Sequence, residues 1–205
     1  FQAFVKKVAE IVAEKNPADV TALLECSFEG AQTVADALRD KILVIGENLS
    51  IRRFLRYEGD VVAYVHGGGR IGVLVRFDAD AACAASAELQ ECGKDVAMQI
   101  AALNPRFWDK SLVTEDVVEE EKKIALALMD NDPKMASKPA QVKEKIAAGK
   151  MNAFFKDNCL LQQEFVRSDL FQGSVEGYIA DAAKKLGGKV TFVDAIHYVK
   201  GEGIE

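Results

Sequence analysis

The side chains that most often bind metals or act as nucleophiles are few in this sequence of 205 residues. The four cysteines form no C-x-x-C pair, and the two histidines form no H-x-x-x-H pattern. Zinc sites and redox centres are usually built from such close pairs, because their ligands must converge on one point. The spacing therefore predicts reduced thiols in the core and no metal site. The residues concerned are Cys26, Cys83, Cys92, Cys159, His66 and His197.

One glycine-rich segment has the form of a phosphate-binding loop. Residues 67–72 read GGGRIG and satisfy G-x-G-x-x-G, the pattern in which backbone amides at the start of a helix bind a pyrophosphate. The next residues, Val73, Leu74 and Val75, are typical of a strand, so this segment offers no helix start. We therefore interpret the glycines as a tight hairpin turn, for which they supply positive φ angles, and predict no cofactor.

The sequence also lacks the motifs that are typical of catalytic nucleophiles and of paired catalytic carboxylates. The sequence has no G-x-S-x-G nucleophile motif, and paired catalytic carboxylates have no recognisable spacing among its 32 acidic residues. We therefore predict a protein that acts by binding and is not an enzyme, with no catalytic residue. An enzyme that acts on a small molecule is the weakest alternative, because it would need a deep pocket with converging titratable groups.

The charge balance narrows the class of partner. The chain has 26 basic and 32 acidic residues, a net charge of −6, which disfavours direct binding to nucleic acid. An arginine cluster within 52–76 and an acidic cluster within 115–121 are both typical of a solvated surface. No apolar run is long enough to span a bilayer, and the first residues are too charged for a secretory signal. We therefore expect no membrane association and a cytoplasmic location.

Hydrophobic periodicity predicts an α+β fold. Apolar residues at helical spacing predict helices at about 1–15, 20–26, 33–41, 89–103, 115–128 and 174–186. Alternating patterns predict strands at 49–57, 61–66 and 71–77, forming a three-stranded antiparallel meander, and a further strand at 190–198. A segment rich in Ala, Lys and Glu at about 138–166 has a narrow apolar seam, which predicts a protruding helical hairpin, or coiled-coil arm.

The two halves of the sequence show a faint repeat. Adding 142 to the residue number superimposes Gly46 on Gly188 and Gly59 on Gly201, and in both halves a predicted helix precedes the strand. This repeat predicts two related α+β lobes, each with helices packed on a small antiparallel sheet. We place the N-terminal lobe at 1–110 and the C-terminal lobe, which includes the arm, at 111–205.

Several blocks of the sequence resemble one protein family. The blocks are GENLSIRR at 46–53, EGD at 58–60, YVHG at 64–67, GRIGVLV at 69–75, DVAMQIAA at 95–102, Asn104-Pro105 and GEGIE at 201–205. They are similar to the core of bacterial elongation factor Ts, and the likeness extends over the whole sequence in the same order.

The resemblance implies a function and a set of partner-binding residues. The family consists of guanine nucleotide exchange factors that bind the GTPase elongation factor Tu and promote GDP release, without an active site of their own. By this resemblance Ile71 and Gly72 contact the GTPase. The same matching blocks contribute Arg70, Met98 and Gln99, which complete the predicted partner-binding set.

Two further expectations follow from the family pattern. Its Thr-Asp-Phe-Val motif, which inserts a phenylalanine beside the GTPase's magnesium site, is absent from these 205 residues. The resemblance therefore implies a chain that docks on its partner but exchanges nucleotide poorly. The alternative from a different class is an interaction or assembly scaffold without a GTPase partner. In that case the arm would mediate self-association as a homodimer.

Overall fold

The structure is a computed structural model that describes residues 1–84 and 86–203. Over these residues the chain forms eight α-helices and two small antiparallel sheets, so the α+β prediction is confirmed. The chain divides into two compact units, Phe1–Glu58 and Gly59–Glu205. The predicted lobes at 1–110 and 111–205 stay a prediction. None of the described helices is long and apolar enough to cross a membrane.

The first unit packs three helices around a small apolar core. These helices are α1 (Gln2–Lys15), α2 (Val20–Glu25) and α3 (Val34–Ile45), and a short antiparallel pair, β1 (Ser27–Glu29) and β2 (Gln32–Thr33), lies between α2 and α3 in sequence. The core is formed by Phe4, Val8, Ile11, Val12, Leu23, Val34 and Ala37. The four residues from α1 are spaced by three, four or one, as one helical face requires.

The ends of these helices follow from local sequence. Helix α1 stops at Asn16, which adopts the left-handed conformation with φ of 46° just before Pro17. Helix α3 starts with a capping box, in which the side chains of Thr33 and Asp36 each accept a hydrogen bond from the other residue's backbone N–H.

Residues 49–57, predicted as a strand, form no strand. Ile51 and Phe54 pack against the core of the first unit, and they are three residues apart, whereas a strand places every second residue on one face. A strand also needs a hydrogen-bonded neighbour, and within the described residues β1 and β2 pair only with each other. The prediction of this strand was therefore wrong, and the predicted meander loses its first member.

The second unit is built on a three-stranded antiparallel sheet. Its strands are β3 (Asp60–His66), β4 (Ile71–Ala79) and β5 (Val190–Val199), in the order β3-β4-β5. Gly67, Gly68 and Gly69 join β3 to β4 with φ angles of 59°, 66° and 92°, so the predicted glycine turn is confirmed. The third strand comes from the end of the chain, and therefore local patterns could not identify it as the partner of β4.

Two helices cover one face of this sheet. Helices α4 (Ala87–Leu103) and α8 (Val175–Leu186) bury their apolar faces on the inward residues of the strands, in one cluster. The fully or nearly fully buried members include Val62, Val73, Val75, Phe77, Leu89, Val96, Ile100, Val175 and Ile179. At the closest approach α4 has a glycine: a Cβ on Gly93 would lie 2.4 Å from Cγ2 of Val62.

The remaining helices form a hairpin with little core of its own. They are α5 (Glu115–Asp130), the short α6 (Pro133–Ala136) and α7 (Ala140–Asn158), and α5 packs along α7. Among the residues that the structure describes, its buried cluster consists of Ala125, Met129 and Ala147. The hairpin begins at α5, earlier than the predicted start near 138. Residues 159–166 are not helical arm, because they hold a single 3-10 turn, Leu160–Gln162, and an irregular segment.

We predict that Gly93→Ala lowers the free energy of unfolding by about 1–3 kcal/mol, because the added methyl group overpacks the space between α4 and Val62. Urea denaturation measures this change. Gly149→Ala is the matched control, since Gly149 lies within α7 and a Cβ there meets nothing within 4 Å. We expect the control to gain about 0.5–1 kcal/mol. If Gly93→Ala were equally stabilising, the described approach of α4 to the sheet would be incorrect.

Candidate partner-binding surface

Three of the five predicted binding residues lie together at the start of the central strand. Arg70 is the exposed last residue of the glycine turn, and Ile71 and Gly72 open β4. The backbone of Arg70 is fixed on both sides, since its N–H donates to the carbonyl of His66 at 3.0 Å and its carbonyl accepts from Lys200 at 2.7 Å. The turn is therefore anchored to both neighbouring strands.

Ile71 and Gly72 point to opposite faces of the sheet. Ile71 lies opposite His66 and Val199, and its side chain packs against the core beneath the helices. Because successive residues of a strand alternate, Gly72 belongs to the other face. Of the two, Gly72 therefore lies where a partner can approach the sheet without displacing the core.

The face that carries Gly72, which we name the open face, combines alternate residues of all three strands. In register across the sheet these are Val65, Gly72 and Tyr198, then Ala63, Leu74 and Ile196, then Val61, Arg76 and Asp194. Each of the nine is half-buried or exposed, and Val65 is 67% exposed. A largely apolar face of this kind, closed at one end by an arginine and an aspartate, is suited to docking of another protein.

Gly72 is not required by the chain's own packing. Its φ is not positive, and a Cβ at this position would meet nothing within 4 Å. Glycine in the interior of a strand weakens the strand and often marks a site where another backbone comes close. No contact among the described residues therefore explains a glycine at position 72, and its lack of a side chain leaves space on the open face.

Met98 and Gln99 lie elsewhere, on α4, which packs on the opposite face of the sheet. Met98 is half-buried, whereas Gln99 has no exposed surface. The Gln99 amide is used inside the chain: Oε1 accepts from the N–H of Val166 at 2.9 Å, and Nε2 donates to the carbonyl of Glu164 at 3.1 Å. Gln99 therefore holds residues 164–166 in place, and its predicted role in contacting a partner stays a prediction.

A second buried polar residue on α4 acts on the same segment. Asp95, one helical turn before Gln99, accepts a hydrogen bond of 2.6 Å from the hydroxyl of Tyr178 and lies 3.6 Å from the guanidinium of Arg167. The ring of Phe165 stacks on Tyr178 with centroids 4.0 Å apart. Sequence reasoning missed this role of Asp95. The signal was present, since Asp95 and Gln99 are polar residues four apart on an otherwise apolar helical face.

The buried thiol of Cys92 and the hydroxyl of Tyr178 are poor nucleophiles, because their surroundings favour the protonated forms. Burial, with a smaller contribution from the nearby Asp95, raises the pKa of Cys92 to about 12. Burial and then the hydrogen bond to Asp95 also raise the pKa of Tyr178. Three of the four cysteines are buried, Cys26 is half-buried, and none forms a disulfide. A thiol with a raised pKa stays protonated and packs as an apolar group.

A cleft of about 720 Å³ lies at the end of β5, beside the end of α4. Its lining includes Asn104, Trp108, His197 and Glu202. Nδ1 of His197 donates to Oδ1 of Asn104 at 3.0 Å, which fixes the ring beside the helix end. Burial lowers the pKa of His197 and Glu202 partly opposes this, so the ring is neutral at physiological pH. Across residues 1–84 and 86–203, no group of three or more His, Cys, Asp or Glu side chains is arranged to hold a metal ion.

Comparison with known proteins supplies the family context for this geometry. Residues 1–202 match the family model described as Elongation factor TS. The chain is 41% identical to "Elongation factor Ts" of Trichlorobacter lovleyi and 38% identical to that of Clostridium perfringens, over the whole chain and 66% of each relative. It is 34% identical to that of Clostridioides difficile, over 65% of the relative. The chain thus spans just under two thirds of these relatives.

The neutral His197 generates a testable pH dependence. Its pKa in the folded chain is below the ordinary value of 6.5, so as the pH falls the unfolded chain takes up a proton first. The His197 contribution to stability is therefore complete above about pH 6.5 and declines as the pH falls towards the lower folded pKa. We expect His197→Asn, which retains a donor towards Asn104, to remove this decline.

Urea denaturation of both proteins at about pH 7.5 and about pH 5 measures the effect. The difference in unfolding free energy between wild type and variant should shift in the variant's favour at the lower pH. An identical difference at both pH values would mean that the ring titrates equally in the folded and unfolded chains.

Proposed function

The chain belongs to the elongation factor Ts family, and we propose that it acts in translation by binding the GTPase elongation factor Tu and promoting release of GDP. The observation that carries the proposal is the open face, on which a Cβ at Gly72 would meet nothing within 4 Å. Gly72 lies within residues 1–202, which match the family model. The anchored turn, with Arg70 at its end, presents this face at a fixed position. In this proposal Gly72 and Arg70 contact the GTPase, and Ile71 supports them from beneath.

Exchange by such a protein needs no covalent chemistry. A protein that binds the nucleotide-free GTPase more tightly than the GDP-bound form must weaken GDP binding by the same factor, because the two equilibria are linked. A coupling of about 4 kcal/mol corresponds to roughly a thousandfold loss of nucleotide affinity. The proposed activity therefore rests on preference between two states of the partner.

Calorimetric titration of this chain into nucleotide-free and GDP-bound elongation factor Tu tests the preference directly. We expect binding to the nucleotide-free form to be at least about a hundredfold tighter, within the usual range of allosteric coupling. Equal affinity for the two forms would refute the proposed exchange activity. Release of fluorescent GDP, followed in parallel, tests the expectation that these 205 residues by themselves dock well but exchange poorly.

Self-association through the hairpin is the second candidate function, favoured by a specific groove. The groove, of about 170 Å³, lies between α5 and α7 and is lined by Ile124, Leu128 and Phe154, with Glu121 and Lys150 at its charged rim. Ile124 and Leu128 are 47% and 60% exposed. Sedimentation velocity of the chain, with and without elongation factor Tu, separates a homodimer from a complex with the GTPase.

Gly72→Val provides a sharper test of the docking face than a charge at Ile71, because Ile71 contributes to the core and its loss would disturb folding. A valine suits a strand, and its Cβ would meet nothing within 4 Å, so we expect an unchanged or raised melting temperature. The added bulk should weaken binding to nucleotide-free elongation factor Tu by about tenfold or more.

Thr191→Ile is the matched control for this variant. Thr191 is exposed and lies near the other end of the sheet, opposite Asp78 on β4, so the change adds apolar bulk to a strand away from Gly72. Its affinity for the GTPase should equal that of wild type. Wild-type affinity of Gly72→Val would remove this position from the interface.

A further inference from the structure

Two buried glutamines meet at the junction between the helical hairpin and the sheet-bound helices. Gln99 on α4 is 0% exposed and Gln163, in the turn that follows α7, is 2% exposed. Nε2 of Gln99 donates to Oε1 of Gln163 at 3.1 Å. Side-chain amides are rarely buried so completely, and each then needs its donors and acceptor satisfied inside the protein.

Gln163 extends this contact to the base of the hairpin. Its Nε2 donates to the carbonyl of Asp157, in the last turn of α7, at 3.1 Å. Its backbone carbonyl accepts from Val175, the first residue of α8, at 3.0 Å, and its N–H donates back to the carbonyl of Cys159. One residue therefore joins three helices: α4 through its amide oxygen, α7 through its amide nitrogen and α8 through its backbone.

The exposed charges at this junction are a weaker connection. Lys156 and Glu164 link α7 to the same segment with an N–O distance of 3.5 Å, but their side chains are 61% and 72% exposed. Solvent screens such a pair, and it holds no fixed geometry. The buried amides differ because neither can move without leaving a buried donor or acceptor unpaired.

We infer that Gln163 is a positioning residue, which fixes the direction of the hairpin relative to α4 by bridging Gln99 and the Asp157 carbonyl. An apolar side chain of the same length would fill the space but would leave that direction less defined, since directional hydrogen bonds specify geometry where apolar contacts do not. Beside these amides, a parallel backbone bridge between Phe107 and Cys159 also holds the base of the hairpin, but it does not reach α4. The chain from the hairpin to α8 is otherwise a 3-10 turn at Leu160–Gln162 and an irregular segment.

This inference deepens the proposed function and, in its binding aspect, rests on it. A GTPase that touches both the hairpin and the sheet-bound part of this chain gains affinity only if the two are already aligned, because alignment on binding costs conformational entropy. Gln163 supplies that alignment in the unbound chain, although no surface of its own is available to a partner.

Distances between spin labels test the positioning role without any partner. Labels on Lys134→Cys, in the connection between α5 and α7, and on Thr191→Cys report the hairpin direction, with the half-buried Cys26 replaced by serine to prevent side labelling. We expect one narrow distance distribution for this background and a broadened one after Gln163→Met. Lys156→Ala, which removes the exposed ion pair between the same elements, should leave the distribution narrow. An equally narrow distribution for Gln163→Met would overturn the inference.

Gln163→Glu distinguishes hydrogen bonding from simple filling of space, and it decides the matter if Gln163→Met does not fold. A protonated carboxylic acid can accept from Gln99 and donate to the Asp157 carbonyl, whereas the ionised form cannot donate. Burial disfavours the ionised form and so raises the pKa of the introduced carboxyl above its ordinary value of about 4.3. The distribution should therefore narrow as the pH falls from about 8 to about 4.5, while the background protein shows no such change. A distribution that at about pH 8 stays as narrow as that of the background protein would refute the bridging role.

Binding to elongation factor Tu tests the functional aspect separately. We expect Gln163→Met to bind the nucleotide-free GTPase about tenfold more weakly than wild type, and Lys156→Ala to bind as wild type does. If the wild-type chain did not bind at all, the proposed function would fail while the spin-label result still decided the positioning role. A broadened hairpin with unchanged affinity would refute the link between alignment and binding.

Discussion

The central strand β4 can be stable only if both of its edges are paired, and its two partners come from opposite ends of the second unit. Strand β3 precedes it directly, whereas β5 follows only after residues 80–189. The two ends of this long segment are joined by two hydrogen bonds. The backbone N–H of Asp80 donates to the carbonyl of Lys189 at 3.0 Å, and the backbone N–H of Lys189 donates to the Asp80 carboxylate at 2.7 Å. The segment between them, which includes α4, the hairpin and α8, therefore starts and finishes at the same end of the sheet.

Within that closed segment, α4 determines the path of the irregular chain after the hairpin. Burying Asp95 and Gln99 is favourable only when their polar atoms are bonded, since each unpaired buried group costs about 1–3 kcal/mol. Their partners are Tyr178 and the chain at 163–167, so the same bonds that satisfy α4 also order a segment with no regular secondary structure. Hydrogen bonds from α4 thus connect the helices on the sheet to the base of the hairpin.

The sequence predicted the local features of this system and missed those that depend on distance along the chain. The apolar spacing of α1, the glycine turn between β3 and β4, and the long stripe of α4 were visible because residues a few positions apart determine them. The pairing of β4 with β5 was not, since alternation shows that a segment is a strand but not which strand it joins. Residues 49–57 illustrate the converse, an alternating pattern without a partner strand among the described residues.

For the candidate site, the sequence likewise indicated the residues but not their arrangement in the folded chain. The block around Gly72 was identified, but the face to which Gly72 belongs, and the absence of neighbours around it, are properties of the folded sheet. Gln163 carried no signal, because a single glutamine in a loop has no periodicity, and only the folded chain brings it against Gln99. Gln99 was identified as a partner-binding residue, which stays a prediction, and nothing in the sequence indicated that its amide lies inside the chain.

Comparison of Gly93 with Gly72 separates a glycine that the fold requires from one that it does not. At Gly93 the fold itself excludes a side chain, because a Cβ would lie 2.4 Å from Val62. At Gly72 the fold makes no such demand: φ is not positive, a Cβ would meet nothing within 4 Å, and a β-branched residue suits a strand. A residue that weakens its strand without relieving any internal clash is best explained by a constraint from outside the chain. In the proposed function that constraint is the close approach of the partner's backbone, which is why the proposed contact is assigned to the open face of the sheet.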